Sequence, residues 1–185
     1  VHSLVQAEKP DGWDHQLQNE PGLVLTYQHH DRLVRLASEN GLGWDTVAHY
    51  GAAAGNVHTY LNAGVTVRAG INLPRDFIVS TIAGGETHAP MYRTDTRINP
   101  ELGWALYLFG GFDGRAVARN IFLDGNTFED SHSVDRKPYR AELRAGLTLI
   151  TRFFALSYTH AYRSREFDEQ DSGNLFGSLT LSVSY

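Results

Sequence analysis

The chain has 185 residues and a formal net charge of −5, with 16 Lys and Arg against 21 Asp and Glu. It contains no basic run, which argues against nucleic acid as a partner. It has no Cys, which excludes a disulfide scaffold or a thiolate metal site. No apolar run approaches the ~18 residues that a membrane-spanning helix needs. A transmembrane barrel is not excluded by that test, because its strands alternate lipid-facing and lumen-facing residues and average to a polar composition.

The first element reads as a short helix over residues 1–9. Val1, Leu4 and Val5 share one apolar face at i, i+3, i+4 spacing, and His2 and Gln6 share the opposite face. Pro10, Asp11 and Gly12 end it. From there the period changes to two. Strands are predicted over 22–30, 32–38, 44–54, 58–72, 102–112, 115–123, 139–149, 153–163 and 175–185. That makes nine, or about seven if 22–38 and 102–123 are each one bent strand. In 58–72, Leu61, Ala63, Val65, Val67, Ala69 and Ile71 lie on one face, with His58, Tyr60, Asn62, Thr66, Arg68 and Asn72 on the other. In 139–149, Tyr139, Ala141, Leu143, Ala145, Leu147 and Leu149 oppose Arg140, Glu142, Arg144 and Thr148.

These strands exceed the usual five or six residues of a soluble sheet. Gly55-Asn56, Asp113-Gly114 and Thr151-Arg152 read as tight turns, and 72–101, 124–138 and 164–174 as long polar loops. Short turns and long loops are expected to segregate to opposite ends of an outer-membrane barrel. In the last strand Leu179, Leu181, Val183 and Tyr185 alternate with Ser178, Thr180, Ser182 and Ser184. An aromatic C-terminus on such a row fits a lipid-facing terminal strand with an interfacial anchor. An amphipathic edge strand of a soluble barrel would show the same alternation. No linker, repeat or low-complexity tract divides the chain, so residues 1–185 are expected to form one all-β domain.

Nine His raise the question of chemistry. His29-His30 sits at an expected turn, where successive side chains diverge and ligation is not favoured. His58 and His160 lie in strands and read as lumen-wall or interfacial residues. His15, His49 and His88 have no partners at readable spacing. Asp130, Ser131, His132 and Ser133 contain the residue types of a triad, but triad members converge from separate elements, so a hydrogen-bonded loop is the better account. Arg68, Arg140, Glu142 and Arg144 on the polar faces are expected to form ion pairs inside a narrow barrel. His2 has a different context, on an amphipathic helix just before a barrel strand. With an ordinary pKa near ~6.5, a His there is a candidate general base; a solvent-facing His is the alternative. Glu8 is about two-thirds of a helical turn out of phase with it and would meet such a site from the helix end.

The motifs GWDHQLQNEPGLVLTY (12–27), GAAAGNVHTYLNAG (51–64), GRAVARNIFLDGNTFEDSHSVDRKP (114–138) and REFDEQDSGNLFGSLTLSVSY (165–185) together resemble the lipid A 3′-O-deacylase family of Gram-negative bacteria. The resemblance spans nearly the whole chain in the family's order. It implies an antiparallel transmembrane outer-membrane β-barrel of about twelve strands, of which this chain carries the C-terminal portion behind a short helix. It implies hydrolysis of the ester holding the 3′-linked acyloxyacyl chain of lipid A, with Ca²⁺ stabilising the oxyanion. By position relative to WDHQLQNEPG, the family's catalytic His corresponds to His2 and its acidic companion to Glu8. The calcium-associated positions are expected upstream of Val1, with roughly a hundred further residues. The implied partners are lipopolysaccharide, the outer membrane and the barrel assembly machinery. The rival expectations are a non-enzymatic outer-membrane pore or structural barrel, an outer-membrane phospholipase working through a Ser beside the His, and a soluble β-barrel binder.

Overall fold

The computed structural model describes residues 19–37, 41–75, 81–83, 86–88, 101–128, 131, 133–168 and 170–183. The expected helix over 1–9 and the terminal Tyr185 lie outside the described residues. Seven long strands form one antiparallel sheet: β1 (Val24–Ala37), β2 (Leu42–Gly55), β3 (His58–Ile71), β6 (Trp104–Asn120), β7 (Tyr139–Thr151), β8 (Phe154–Arg163) and β9 (Asn174–Val183). Each pairs with its predecessor in that order, an up-and-down meander. β4 (Thr81–Ala83) and β5 (Glu86–His88) form a separate two-stranded piece. The fold class is therefore the expected all-β antiparallel barrel wall. Among the described residues the sheet does not close, since β1 and β9 each pair along one edge only.

Seven strands replace nine because two expected breaks are strand interiors. The register of β1 against β2 shifts between Arg32 and Val34, so Leu33 is an extra residue that reverses the side-chain parity without ending the strand. Gln28, His30 and Arg32 are therefore in phase with Arg35. His29-His30 is consequently not a turn. Asp113-Gly114 has a turn signature, yet Asp113 pairs with Gly64 on one side and Glu142 on the other. Ladders on both flanks override the local preference. The expected strand over 115–123 stops three residues early. Asn120 Oδ1 accepts the Phe122 N–H at 3.2 Å and caps a single helical turn, α1 (Ile121–Asp124).

The sheet is inverted relative to a soluble protein. On β3, Tyr60, Asn62, Thr66 and Arg68 are buried, whereas Leu61, Val65 and Val67 are exposed. On β7, Glu142 and Thr148 are buried while Leu143 and Leu147 face outward. Arg68 and Asp45 are 0% exposed, and Leu61 is 64% exposed. Water would penalise such a continuous apolar exterior, at about 25 cal/mol per Å²; a hydrocarbon surround removes the penalty. The inward charges are paired: Arg68 Nε donates to Asp45 Oδ1 at 2.8 Å and Nη2 to Oδ2 at 2.6 Å. Arg163 reaches Glu142 Oε2 through Nη2 at 2.9 Å, and Arg140 pairs with Glu166. Outward aromatics mark both ends of the strands, with Trp44, Trp104 and Phe153 towards one and Tyr27, Tyr50, Tyr139 and Tyr162 towards the other.

The connections do not segregate by length as expected. Strand directions put 56–57, 121–138 and 164–173 at one end. The opposite end carries 38–41, 72–103 and 152–153, so one long connection shares its end with two short ones. Residues 72–74, with which the long connection begins, turn inward instead of out. Asn72 takes φ 55, its N–H donates to Gly41 O and its Nδ2 to Trp104 O, both at 2.7 Å. Leu73 then packs with Ala105, Tyr107, Phe109, Ile150 and Ala155. Arg35 Nη2 donates to Leu73 O at 2.9 Å and Nη1 to Pro74 O at 3.2 Å. This end of the inner face is filled by side chains and backbone.

Leu143, near the middle of β7, tests the outward face. Leu143→Arg should destabilise the protein in a bilayer by about 2–4 kcal/mol, the midplane cost of a lipid-facing Arg. Reversible unfolding in lipid vesicles measures this. A water-facing position would tolerate the same change within about 0.5 kcal/mol.

Candidate functional site

His2 and Glu8 lie outside the described residues, as do His15, Asp130 and His132. The described residues begin at Asn19, after His2 and Glu8 in sequence, and there the chain approaches β1 at the end carrying the 121–138 connection. Asn56 fixes this approach. Its Oδ1 accepts the Leu23 N–H at 2.7 Å, its N–H donates to Leu23 O at 3.2 Å, and its Nδ2 donates to Pro21 O at 2.7 Å. Glu20 accepts the Thr127 N–H at 2.9 Å and the Thr127 hydroxyl at 3.0 Å.

The loop after β6 owes its shape to two arginines. Arg119 donates through Nε to Asn56 O at 2.9 Å and through Nη2 to Thr127 Oγ1 at 2.8 Å. Arg136 pairs with Asp124 at 2.9 Å and donates through Nη2 to Ala118 O at 2.9 Å. Lys137 pairs with Asp168, joining this loop to the one after β8. Ser131 Oγ accepts the Asn126 N–H at 2.7 Å, which is the loop role expected for the 130–133 stretch. The result is a rim whose backbone carbonyls are held by multidentate guanidinium groups.

The inner face holds a second cluster. Asp113 is buried, and its Oδ2 lies 2.8 Å from His49 Nε2 and accepts Asn62 Nδ2 at 3.1 Å. Gln28 Nε2 donates to Asn62 Oδ1 at 2.8 Å. The Arg115 Nε lies 3.5 Å from Asp113 Oδ1, with its guanidinium 4.4 Å from the Tyr60 ring centroid. His49 and Asp113 stand on β2 and β6, both opposite Gly64 of β3. A Cβ at Gly64 would fall 2.5 Å from His49 Cε1, so the missing side chain lets the imidazole cross to the carboxylate. His30 stacks near His49 at 5.6 Å between ring centroids. His160 faces outward, 3.3 Å from Tyr158 through Nδ1, so it is not a lumen-wall residue. His58 lies against the Phe122 ring at 5.8 Å.

In chemical terms the interior cluster is a hydrogen-bonded His–Asp pair surrounded by amides and guanidinium groups. The pairing spans 64 residues of sequence, and strand phase alone could have found its face but not its partner.

The described residues do not fit a calcium ion, which takes about 6–8 oxygen ligands. Among them no group of three or more His, Asp or Glu side chains is arranged to hold a metal ion. Asp45 serves Arg68 and Arg32, Glu142 serves Arg163, and Asp113 serves His49, Asn62 and Arg115.

The rim carboxylates have shifted acidity. Burial raises the Glu20 pKa, but the hydrogen bonds from Thr127, Asn126 and Phe128 outweigh it and hold the carboxyl below its usual value. Asp168 is lowered by the Lys137 hydrogen bond and charge. A depressed carboxylate contributes its contact above the unfolded pKa and loses it as pH falls through the lower folded value. Amide exchange at Thr127 should therefore stay slow at a pH where a free Glu is already half protonated, and accelerate only on further acidification. Exchange that accelerates at the ordinary Glu pKa would refute the contact.

The family model described as outer membrane protein LpxR matches residues 1–185. A solved structure, LpxR from Salmonella typhimurium, aligns with a TM-score of 0.72 at 22% identity. The match covers 93% of this chain and 55% of that one, so the present chain spans about half its length. At that identity the likeness shows the fold. No curated protein matches the chain. The chain belongs to the family of outer membrane protein LpxR, the lipid A 3′-O-deacylase family that its motifs resemble.

Proposed function

We propose that this chain serves a lipid A deacylase, contributing seven membrane-crossing strands of the barrel and the segment bearing His2 and Glu8. The reaction is hydrolysis of the ester that holds the 3′-linked acyloxyacyl chain. The observation that carries the proposal is the family match running through residues 1–185, joined to a barrel wall that turns its apolar face outward. That exterior supports placement in the outer membrane beside lipopolysaccharide, where the scissile ester lies. The row Leu179, Leu181 and Val183 on the outward face of β9 supports recognition by the barrel assembly machinery.

In the proposed mechanism neutral His2 takes a proton from water, whose oxygen attacks the ester carbonyl. As the acyl–oxygen bond breaks, the imidazolium returns that proton to the departing sugar hydroxyl. Glu8 is its acidic companion on the same segment. Calcium belongs to the proposal as the family's cofactor, bound outside the described residues, and no step is assigned to it.

A conducting pore would need an open interior, and the packing of Leu73, Pro74, Tyr107 and Phe109 at one end supports the enzyme over that rival. A phospholipase would need a free Ser beside the His. Ser131 is engaged by Asn126, Ser157 by Thr148 and Ser164 by Ala141.

His2→Ala in the protein assembled in outer membranes should lower 3′-deacylation by at least ~100-fold, the lower end of the range for general-base loss. Heat-modifiable migration on gels should be unchanged, showing an intact barrel. Lipid A mass spectra that still show loss of the 3′ chain from the variant would overturn the assignment.

A further inference from the structure

The approach to β1 is held to the rim by one carboxylate that the reaction above does not use. Glu20 Oε2 accepts the Thr127 N–H at 2.9 Å and the Phe128 N–H at 3.4 Å. Its Oε1 accepts the Thr127 hydroxyl at 3.0 Å and Asn56 Nδ2 at 3.4 Å. All four of these groups are donors, and a carboxylate is the one side chain of this length with acceptors on both terminal atoms. A glutamine would keep one of the two oxygens and turn an NH₂ towards N–H or O–H groups on the other side.

The contact is built on from behind. Thr127 Oγ1, while donating to Glu20, accepts Arg119 Nη2 at 2.8 Å. Arg119 also holds Gly125 O at 3.1 Å and Asn56 O at 2.9 Å. Glu20 and Thr127 are separated by 107 positions in sequence. The arrangement therefore ties three distant pieces of chain together: the approach to β1, the 56–57 turn and the 125–128 stretch. The barrel wall does not need this tie. Each of the seven long strands from Val24 onward is held by its own ladders, and an exposed polar contact of this kind adds little to global stability.

We propose that Glu20 is a positioning residue for the segment that carries His2 and Glu8. Resting on the assignment of those two residues to the reaction, it fixes the point from which that segment leaves the barrel wall. Glu8 precedes it by twelve positions and His2 by eighteen. A tether of this kind acts on turnover, because small displacements of a catalytic group cost rate steeply, about 100-fold for 1 Å in severe cases. It should act much less on substrate binding, which the apolar wall supplies.

The test compares wild type, Glu20→Gln, Thr127→Val, Thr127→Ser and the Glu20→Gln/Thr127→Val double variant, each assembled in outer membranes and assayed on lipid A. Glu20→Gln should lower kcat about tenfold and change KM by less than about twofold, with heat-modifiable migration intact. Thr127→Val should lower kcat, Thr127→Ser should restore it, and the double variant should be no worse than Glu20→Gln alone, as for two members of one contact. Independently of activity, amide exchange at Thr127 and Phe128 should accelerate in Glu20→Gln. Unchanged exchange there would refute the tether itself. Accelerated exchange with wild-type kcat, or losses that multiply in the double variant, would refute the positioning role. A wild-type protein that leaves the 3′ chain in place would instead refute the deacylase reading.

Discussion

The bidentate pairing of Arg68 with Asp45 on the inner face, towards its packed end, expresses the constraint on which the rest depends. A sheet whose outer side meets hydrocarbon sends its charges inward, with the His29–Asp31 pair on edge strand β1 the exception, and inward charges have to be paired. Such a pair adds little net stability over an apolar filling, but removing one partner strands the other charge at a cost of about 3–5 kcal/mol. The pairing thus acts as a specification. Only one register of β2 on β3 brings Asp45 opposite Arg68. The same register sets His49 opposite Gly64 and, through β6, within reach of Asp113.

The two ends of the wall follow from different physics. At one end Leu73 and Pro74 fold inward, and arginines from β1 and β3 satisfy their carbonyls, so the interior is packed much like a soluble core. At the other end the rim is polar and is shaped by Arg119, Arg136 and Glu20 gripping backbone groups of the loops. The polar rim presents fixed backbone to whatever adjoins it, and it is there that the segment following Glu8 reaches the wall.

The edges of β1 and β9 carry a further consequence. Within a bilayer an unpaired row of N–H and C=O groups is untenable, so the membrane setting requires that both edges be covered. The outward pair His29 and Asp31, 3.0 Å apart on β1, lies beside one of them. The match over 55% of the Salmonella structure is consistent with a wall that forms part of a larger barrel.

Strand phase was legible directly. The apolar and polar rows of 58–72 and 139–149 correspond to the outer and inner faces, because a period of two commits each side chain to one face. The single continuous strands at 24–37 and 104–120 were one of two options, and ladder pairing on the flanks of Asp113-Gly114 decided between them. Local signals misplaced His29-His30 at a turn and left His160 open to a lumen position, since a bulge or a neighbouring aromatic is invisible to phase alone. Loop length misjudged the ends, because residues 72–75 fold inward where polar composition reads as exposed. The sequence by itself determined alternation, composition and the family motifs, including the segment with His2 and Glu8, all of which are local or linear properties. The partners of His49, Arg68 and Glu20 were decided only by the tertiary structure. Those contacts join residues 23 to 107 positions apart, and only strand register and loop closure bring them within hydrogen-bond distance.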